Sequence, residues 1–324
     1  MKFVTMAELN RDIVDNLHLI PKDIDIIVGV PRSGMLIAAM IALYLNKPLC
    51  DLNSFVQGRI YSVGMTKNTK DCILDFWKIR KALIVEDSSN SGASIERAKE
   101  TVQKVDLNIK CSYLAVYVTE KTKDNVDIWF RIVEPPRMFE WGFMHHESLQ
   151  YACVDIDGVL CRNPTVKEND DGERYRNFIR TAEPKYIPTR KVGCIVTSRL
   201  EKYREDTEYW LKMQGIEYDR LYMMKLETAE ERRKLGNHAI FKAEVFKKEK
   251  KTNWFIESDL KEAKEIAALS GKEVFCVDKS VFAKAALKYR MSWKLKMQLY
   301  AVLIKYLPYE KVDQIRKLKR KLLG

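Results

Sequence analysis

KALIVEDSSNSGAS, residues 81–94, is the stretch on which the fold turns. KALIVED is an apolar run ending in two acids, the pattern of a strand buried on both faces of a parallel sheet. The small polar residues from Ser88 to Ser94 then open a helix, SIERAKETVQKV. Strand, short polar turn and helix form the repeating unit of a parallel α/β sheet, and the turn past the strand's carboxyl end is where such sheets bind ligands.

On either side the grammar continues. IDIIVGV (24–30) reads as a buried strand, MLIAAMIALYLN (35–46) as a helix packed on it, and CSYLAVYV (111–118) as a third strand. A second series begins at YACVDID (151–157). It runs through the strand KVGCIVTS (191–198), the helix EKYREDTEYWLKMQG, the strand TNWFIES, the helix LKEAKEIAALSG and the strand KEVFCVD, which ends at Asp278. Two strand-loop-helix series, each with its own polar loops, predict two parallel-sheet α/β domains meeting near 145–150. Beyond Asp278 the pattern predicts helical stretches without strands. The expected division is 1–147, 148–279 and a tail, 280–324.

The 324 residues suffice for two cores, and 46% apolar with 31% charged content is that of a globular protein. The seven cysteines are odd in number and never spaced as CxxC, so neither a disulfide framework nor a zinc site is indicated, and a reducing cytoplasm is expected. The start, MKFVTMAELNRDIVDN, lacks a signal-peptide pattern, and MLIAAMIALYL is too short to span a bilayer. From Lys279 onward there are 13 Lys/Arg against Glu310 and Asp313, so +11 of the net +12 lies from that residue to the end.

In VEDSSNSGAS, backbone N–H groups of the turn and the helix N-terminus make an anion cradle, and Glu86 and Asp87 beside it suit two vicinal hydroxyls of a sugar. The stretch resembles the phosphoribosyl pyrophosphate (PRPP) motif of type I phosphoribosyltransferases, and GVPRSGM (29–35) resembles that family's pyrophosphate loop. The resemblance spans roughly residues 1–145. It implies a PRPP site of Arg32, Ser33 and Gly34 for the pyrophosphate, Glu86 and Asp87 for the ribose hydroxyls, and Ser88, Asn90, Ser91, Gly92, Ala93 and Ser94 around the 5-phosphate. It also implies Mg²⁺ and attack of an acceptor at C1 as pyrophosphate leaves. Members acting on 6-oxopurines carry an acid where this chain has Asn90, which weakens a purine salvage reading. SFVQGRIYSVGM (54–65) lies where the family places a loop over the site; Arg59 is there either a pyrophosphate ligand or a solvated side chain. In PPRMFEWGFMHHE (135–147), Trp141 is either an acceptor platform or, with His145, interdomain packing.

VDIDGVL (154–160) resembles motif I of haloacid dehalogenase-like phosphatases. The resemblance implies Asp155 as nucleophile, forming an aspartyl-phosphate, and Asp157 as general acid/base. Later stations follow in order: Thr197 to bind the phosphoryl group, Lys242 (with Lys247 as the alternative) to neutralise it, and Asp259 with Glu257 to join Asp155 and Asp157 around Mg²⁺. Only about thirty polar residues separate motifs I and II, room for a small cap and an open site that accepts bulky substrates.

In the tail, 281–307 mixes apolar side chains with Lys284, Lys288, Arg290, Lys294 and Lys296, and the last segment sets Val312, Ile315, Leu318 and Leu322 opposite basic residues. Such a helix suits an anionic membrane surface; plain packing and nucleic acid are the other readings, nucleic acid the least favoured. The sequence therefore points to a cytoplasmic enzyme held at the inner face of the membrane. It would move 5-phosphoribosyl from PRPP to a glycan hydroxyl, as on a lipid-linked polysaccharide, and then remove the 5-phosphate. This resembles the paired modules that add ribofuranose to bacterial polysaccharides. The alternatives are nucleobase ribosylation with nucleotide dephosphorylation, and a PRPP-sensing regulator that binds nucleic acid.

Overall fold

The computed structural model describes residues 2–61, 75–105, 107–231 and 238–283. The chain divides into two compact units, Met1–Trp141 and Gly142–Gly324. The division falls a few residues ahead of 145–150 because the apolar side chains after it turn to the second unit: Phe143 packs edge-on against Tyr186 and Phe275.

The first unit begins with strand β1 (Lys2–Val4) and helix α1 (Met6–Asn16), started by a capping box between Thr5 and Glu8. There follow β2 (Ile26–Gly29), α2 (Ser33–Leu45), β3 (Leu49–Asp51), α3 (Leu52–Val56), β4 (Lys81–Ser88), α4 (Ala93–Gln103), β5 (Lys110–Val118), β6 (Ile128–Ile132) and β7 (Arg137–Phe139). The main sheet has the order β3-β2-β4-β5-β6, parallel throughout, while β1 and β7 form a separate parallel pair. Strand alternation sends Ile27, Leu83 and Val85 toward α2 (Ile37, Ala38, Ile41), and Ile26, Val28, Ala82 and Ile84 toward Phe55, Phe76 and Ala98. Both faces are covered, which is why these strands read as unbroken apolar runs.

The second unit contains β8 (Ala152–Val154), α5 (Glu173–Thr181), β9 (Val192–Leu200), α6 (Arg204–Met213), β10 (Tyr218–Met224), α7 (His238–Lys248), β11 (Trp254–Glu257), α8 (Leu260–Ser270), β12 (Glu273–Cys276) and β13 (Val281–Ala283). The sheet order is β10-β9-β8-β11-β12-β13, parallel except for the last pair. Cys153, Cys194, Val196, Phe255 and Val274 pack with Ala243 and Phe246 of α7 and with Ile266 of α8.

Strand β13 corrects the expectation of no strand after Asp278. It is three residues long, too short to show a period, and Ser280 (φ 50°) turns it back antiparallel to β12. The rest of the tail, where a basic helix is expected, lies outside the described residues. Between β8 and β9 the polar insertion holds one helix, α5. Tyr175, Phe178 and Ile179 form its buried face, and Arg176 and Arg180 pair with the buried Asp206 of α6.

Candidate functional site

In the first unit β2 and β4 are neighbours, so the polar turns that follow them meet at one edge of the sheet. Gly34 makes the close approach possible: a Cβ there would lie 2.6 Å from the Val85 carbonyl oxygen and 3.1 Å from Glu86 Oε1. Gly92, at φ +82°, is the N-cap of α4 in a conformation that other residues resist. Thr5, Asp51 and Asp259 cap α1, α3 and α8 with side-chain oxygens, whereas the N-caps of α2 and α4, Arg32 and Gly92, make no side-chain capping bond. First-turn amides left in this way suit anions. The Pro31–Arg32 peptide is cis, and Arg32 is exposed.

The two acids are buried, at 5% and 7% exposure, so any sugar hydroxyl must come to them. Glu86 Oε2 accepts the Ser94 hydroxyl proton, and Oε1 accepts the Asp87 N–H (3.1 Å). Burial pushes the Glu86 carboxyl up to about 8, with the Asp87 charge adding to the rise against the Ser94 hydrogen bond. Asp87 Oδ2 accepts the Trp141 indole N–H at 2.9 Å. The Ser94 hydroxyl is thus taken up by the acid. Asn90, Ser91 and Ala93 are exposed, Ser88 is half-buried, and Ser33 lies in the first turn of α2. Arg59 is exposed and follows α3; positions 62–65 of the expected covering loop lie outside the described residues. His145 falls in the second unit, where its Nδ1 and Thr189 Oγ1 are 2.9 Å apart.

In the second unit three adjacent strands, β9, β8 and β11, end at a cleft of about 200 Å³ whose lining includes Asp155, Asp157, Ser198, Lys242, Glu257, Ser258 and Asp259. Gly158 (φ +83°) turns the chain after Asp157, and a Cβ there would fall 2.2 Å from Ser258 Oγ. Lys242 of α7 is the hub. Its ammonium, 3% exposed, donates to Asp155 (2.8 Å), Glu257 (2.6 Å) and Glu262 (2.9 Å). Burial alone would pull its pKa down, but three carboxylates hold it well above the ordinary lysine range. Asp155 and Glu257 are pushed up by burial because one ammonium does not balance three acids. Lys247, the alternative, is exposed, so the geometry selects Lys242.

Two residues that sequence reasoning missed matter here. Arg199, fully buried, grips Asp157 through Nη2 (2.7 Å) and Nε (3.2 Å). Ser198 lines the cleft, whereas the neighbouring Thr197 is fully buried with its hydroxyl oxygen accepting the Arg199 N–H (3.3 Å). The one available signal was strand alternation, which sends Thr197 and Ser198 to opposite faces. The four residues expected around Mg²⁺, Asp155, Asp157, Glu257 and Asp259, all line this cleft. Among the described residues no group of three or more His, Cys, Asp or Glu side chains is placed to hold a metal ion. Asp155 and Glu257 face Lys242, Asp157 faces Arg199, and Asp259 caps α8 through the Glu262 N–H (2.8 Å).

Residues 5–148 match the family model described as the phosphoribosyl transferase domain. Among solved structures, the chain is similar to a purine phosphoribosyltransferase from Pyrococcus horikoshii Ot3, at 19% identity over 43% of this chain and 92% of that one (TM-score 0.32). It is similar to the xanthine-guanine-hypoxanthine phosphoribosyltransferase of Helicobacter pylori, at 14% over 44% and 93% (0.32). It is also similar to the orotate phosphoribosyltransferase of Aeropyrum pernix, at 16% over 39% and 70% (0.28). No curated protein matches the chain.

Proposed function

We propose that this chain is a bifunctional enzyme: it transfers 5-phosphoribosyl from PRPP to a glycan hydroxyl and then hydrolyses the 5-phosphate, leaving a ribofuranosyl group. The first step is supported by the phosphoribosyl transferase domain and by the meeting of the two uncapped helix starts with a buried acid pair. In this reading pyrophosphate lies on Arg32–Gly34, the 5-phosphate on 90–94, and a ribose hydroxyl reaches Asp87. Asp87, together with the substrate's phosphates, would hold a Mg²⁺ ion, which would offset the charge that builds on the departing pyrophosphate. Catalysis is then mainly positioning and charge neutralisation.

The observation that carries the second step is the buried Asp155–Lys242–Glu257 cluster at the mouth of three parallel strands, an arrangement for which phosphoribosyl transfer alone has no use. Asp155 attacks phosphorus, the bond to the sugar oxygen breaks, and Asp157 supplies the proton to that oxygen. Water then cleaves the aspartyl-phosphate, returning a proton to Asp157. Lys242 offsets the charge of the transferring group, and the Ser198 hydroxyl takes the station expected at Thr197. The basic tail, 280–324, would hold the enzyme at an anionic membrane surface near a lipid-linked acceptor; no helix among the described residues is long and apolar enough to cross a membrane.

The test is incubation with PRPP and either free nucleobases or a lipid-linked glycan, following pyrophosphate release and product mass. The glycan should drive release, Asp155→Asn should leave product carrying its phosphate, and Asp87→Ala should abolish product. Release driven by a nucleobase alone would replace the glycan reading with nucleotide synthesis.

A further inference from the structure

Resting on the phosphoribosyl reading above, we propose that Trp141 is a positioning residue that aims the sugar-binding carboxylate Asp87. Four carboxylate oxygens are available from Glu86 and Asp87. Glu86 Oε1 takes the Asp87 N–H, Glu86 Oε2 takes the Ser94 hydroxyl, and Asp87 Oδ2 takes the Trp141 indole. Beside the indole, the Glu86 carboxyl shares a hydrogen bond with the Asp87 side chain. A carboxylate fixed through one oxygen presents the other as a directed acceptor, and an indole N–H is suited to the fixing because it donates and never competes for the hydroxyl proton.

The indole is itself held. Its plane lies 15° from that of Phe139 with ring centroids 4.8 Å apart, and Tyr117 stacks on both, at 5.2 Å from Phe139 and 6.2 Å from Trp141. Phe139 is fixed through the pairing of β7 with β1, opposite Val4. The Tyr117 hydroxyl donates to Asp12 (2.9 Å), which Arg131 also holds (3.0 Å). This chain of contacts runs from α1 and β6 to Asp87 and restrains both the edge of Trp141 and one of its faces. A side chain held in this way is placed to direct its neighbour.

Trp141→Phe keeps an aromatic ring for the stack and removes the N–H. In the full-length protein, in Mg²⁺-containing buffer, titration calorimetry should show PRPP affinity falling about tenfold, the scale of one hydrogen bond to a charged group. Pyrophosphate, which this reading seats on Arg32–Gly34 away from Asp87, should bind within twofold of wild type. Adding Trp141→Phe to Asp87→Ala should change PRPP affinity less than twofold further. Unchanged PRPP affinity in Trp141→Phe overturns the assignment, as does an equal loss for both ligands or full additivity with Asp87→Ala. Wild-type protein that binds pyrophosphate but not PRPP would instead defeat the phosphoribosyl reading, and the assignment with it.

Discussion

Replacing Lys242 with Met removes one ammonium and leaves Asp155, Glu257 and Glu262 facing one another where they now lie 2.8, 2.6 and 2.9 Å from it. Two of these side chains are nearly sealed, at 6% and 2% exposure, and Glu262 is more open at 31%. Taking one partner from a buried ion pair costs about 3–5 kcal/mol, because the remaining charge stays desolvated. Glu262, able to turn toward water, should add less than about 1 kcal/mol. The deficit should depend on pH in a determined direction. Asp155 and Glu257 are already pushed up by burial, and losing the ammonium pushes them further. The folded variant then keeps protons that the unfolded chain has released, so its stability declines as pH rises above the ordinary carboxylate range. Near pH 5 much of the penalty should vanish; at pH 7.5 it should be nearly full. Hydrogen exchange in peptides spanning 152–160 and 254–260 reads the opening free energy of these strands directly. A loss below about 1 kcal/mol at pH 7.5, or a deficit larger at pH 5 than at pH 7.5, would refute the argument that one buried ammonium holds the cluster.

Other substitutions probe the remaining geometry. Gly34→Ala would place a methyl 2.6 Å from the Val85 carbonyl oxygen, so α2 must move from β4, and pyrophosphate affinity measured by calorimetry should fall at least about tenfold. Glu86 titrates near 8 in the folded protein against an ordinary carboxylate value when unfolded. Stability should therefore decline between about pH 4.5 and pH 8, and Glu86→Gln should flatten that part of a urea-melt pH series. Arg199→Met leaves Asp157 without its partner; since Asp157 is 20% exposed, about 2 kcal/mol should be lost in a chemical melt, and Arg199→Lys should recover only part because it cannot form the fork.

The short-range pieces were legible. An apolar strand, a turn of small polar residues and a helix occupy about twenty consecutive positions, and local sterics with face-by-face burial specify each of them, so β4 with α4 and β8 with its aspartate turn stand near their expected places. The same locality explains why Asp155, Asp157, Glu86 and Asp87 were candidates at all: each ends or directly follows an apolar strand.

What escaped were short or isolated elements and partnerships across long separations. Strand β13 is too short to carry a period, and α5 is one helix in a polar insertion. Arg199 meets Asp157 across 42 positions and the Trp141 indole reaches Asp87 across 54, and Lys242, expected beside Asp155, also holds Glu257 and Glu262, which was not foreseen. Nothing in the local chemistry of a lysine or an arginine announces which distant acid it will hold. Those choices belong to the order and register of the parallel strands, which set side chains from distant segments within hydrogen-bond reach, and to burial, which makes each such pairing count.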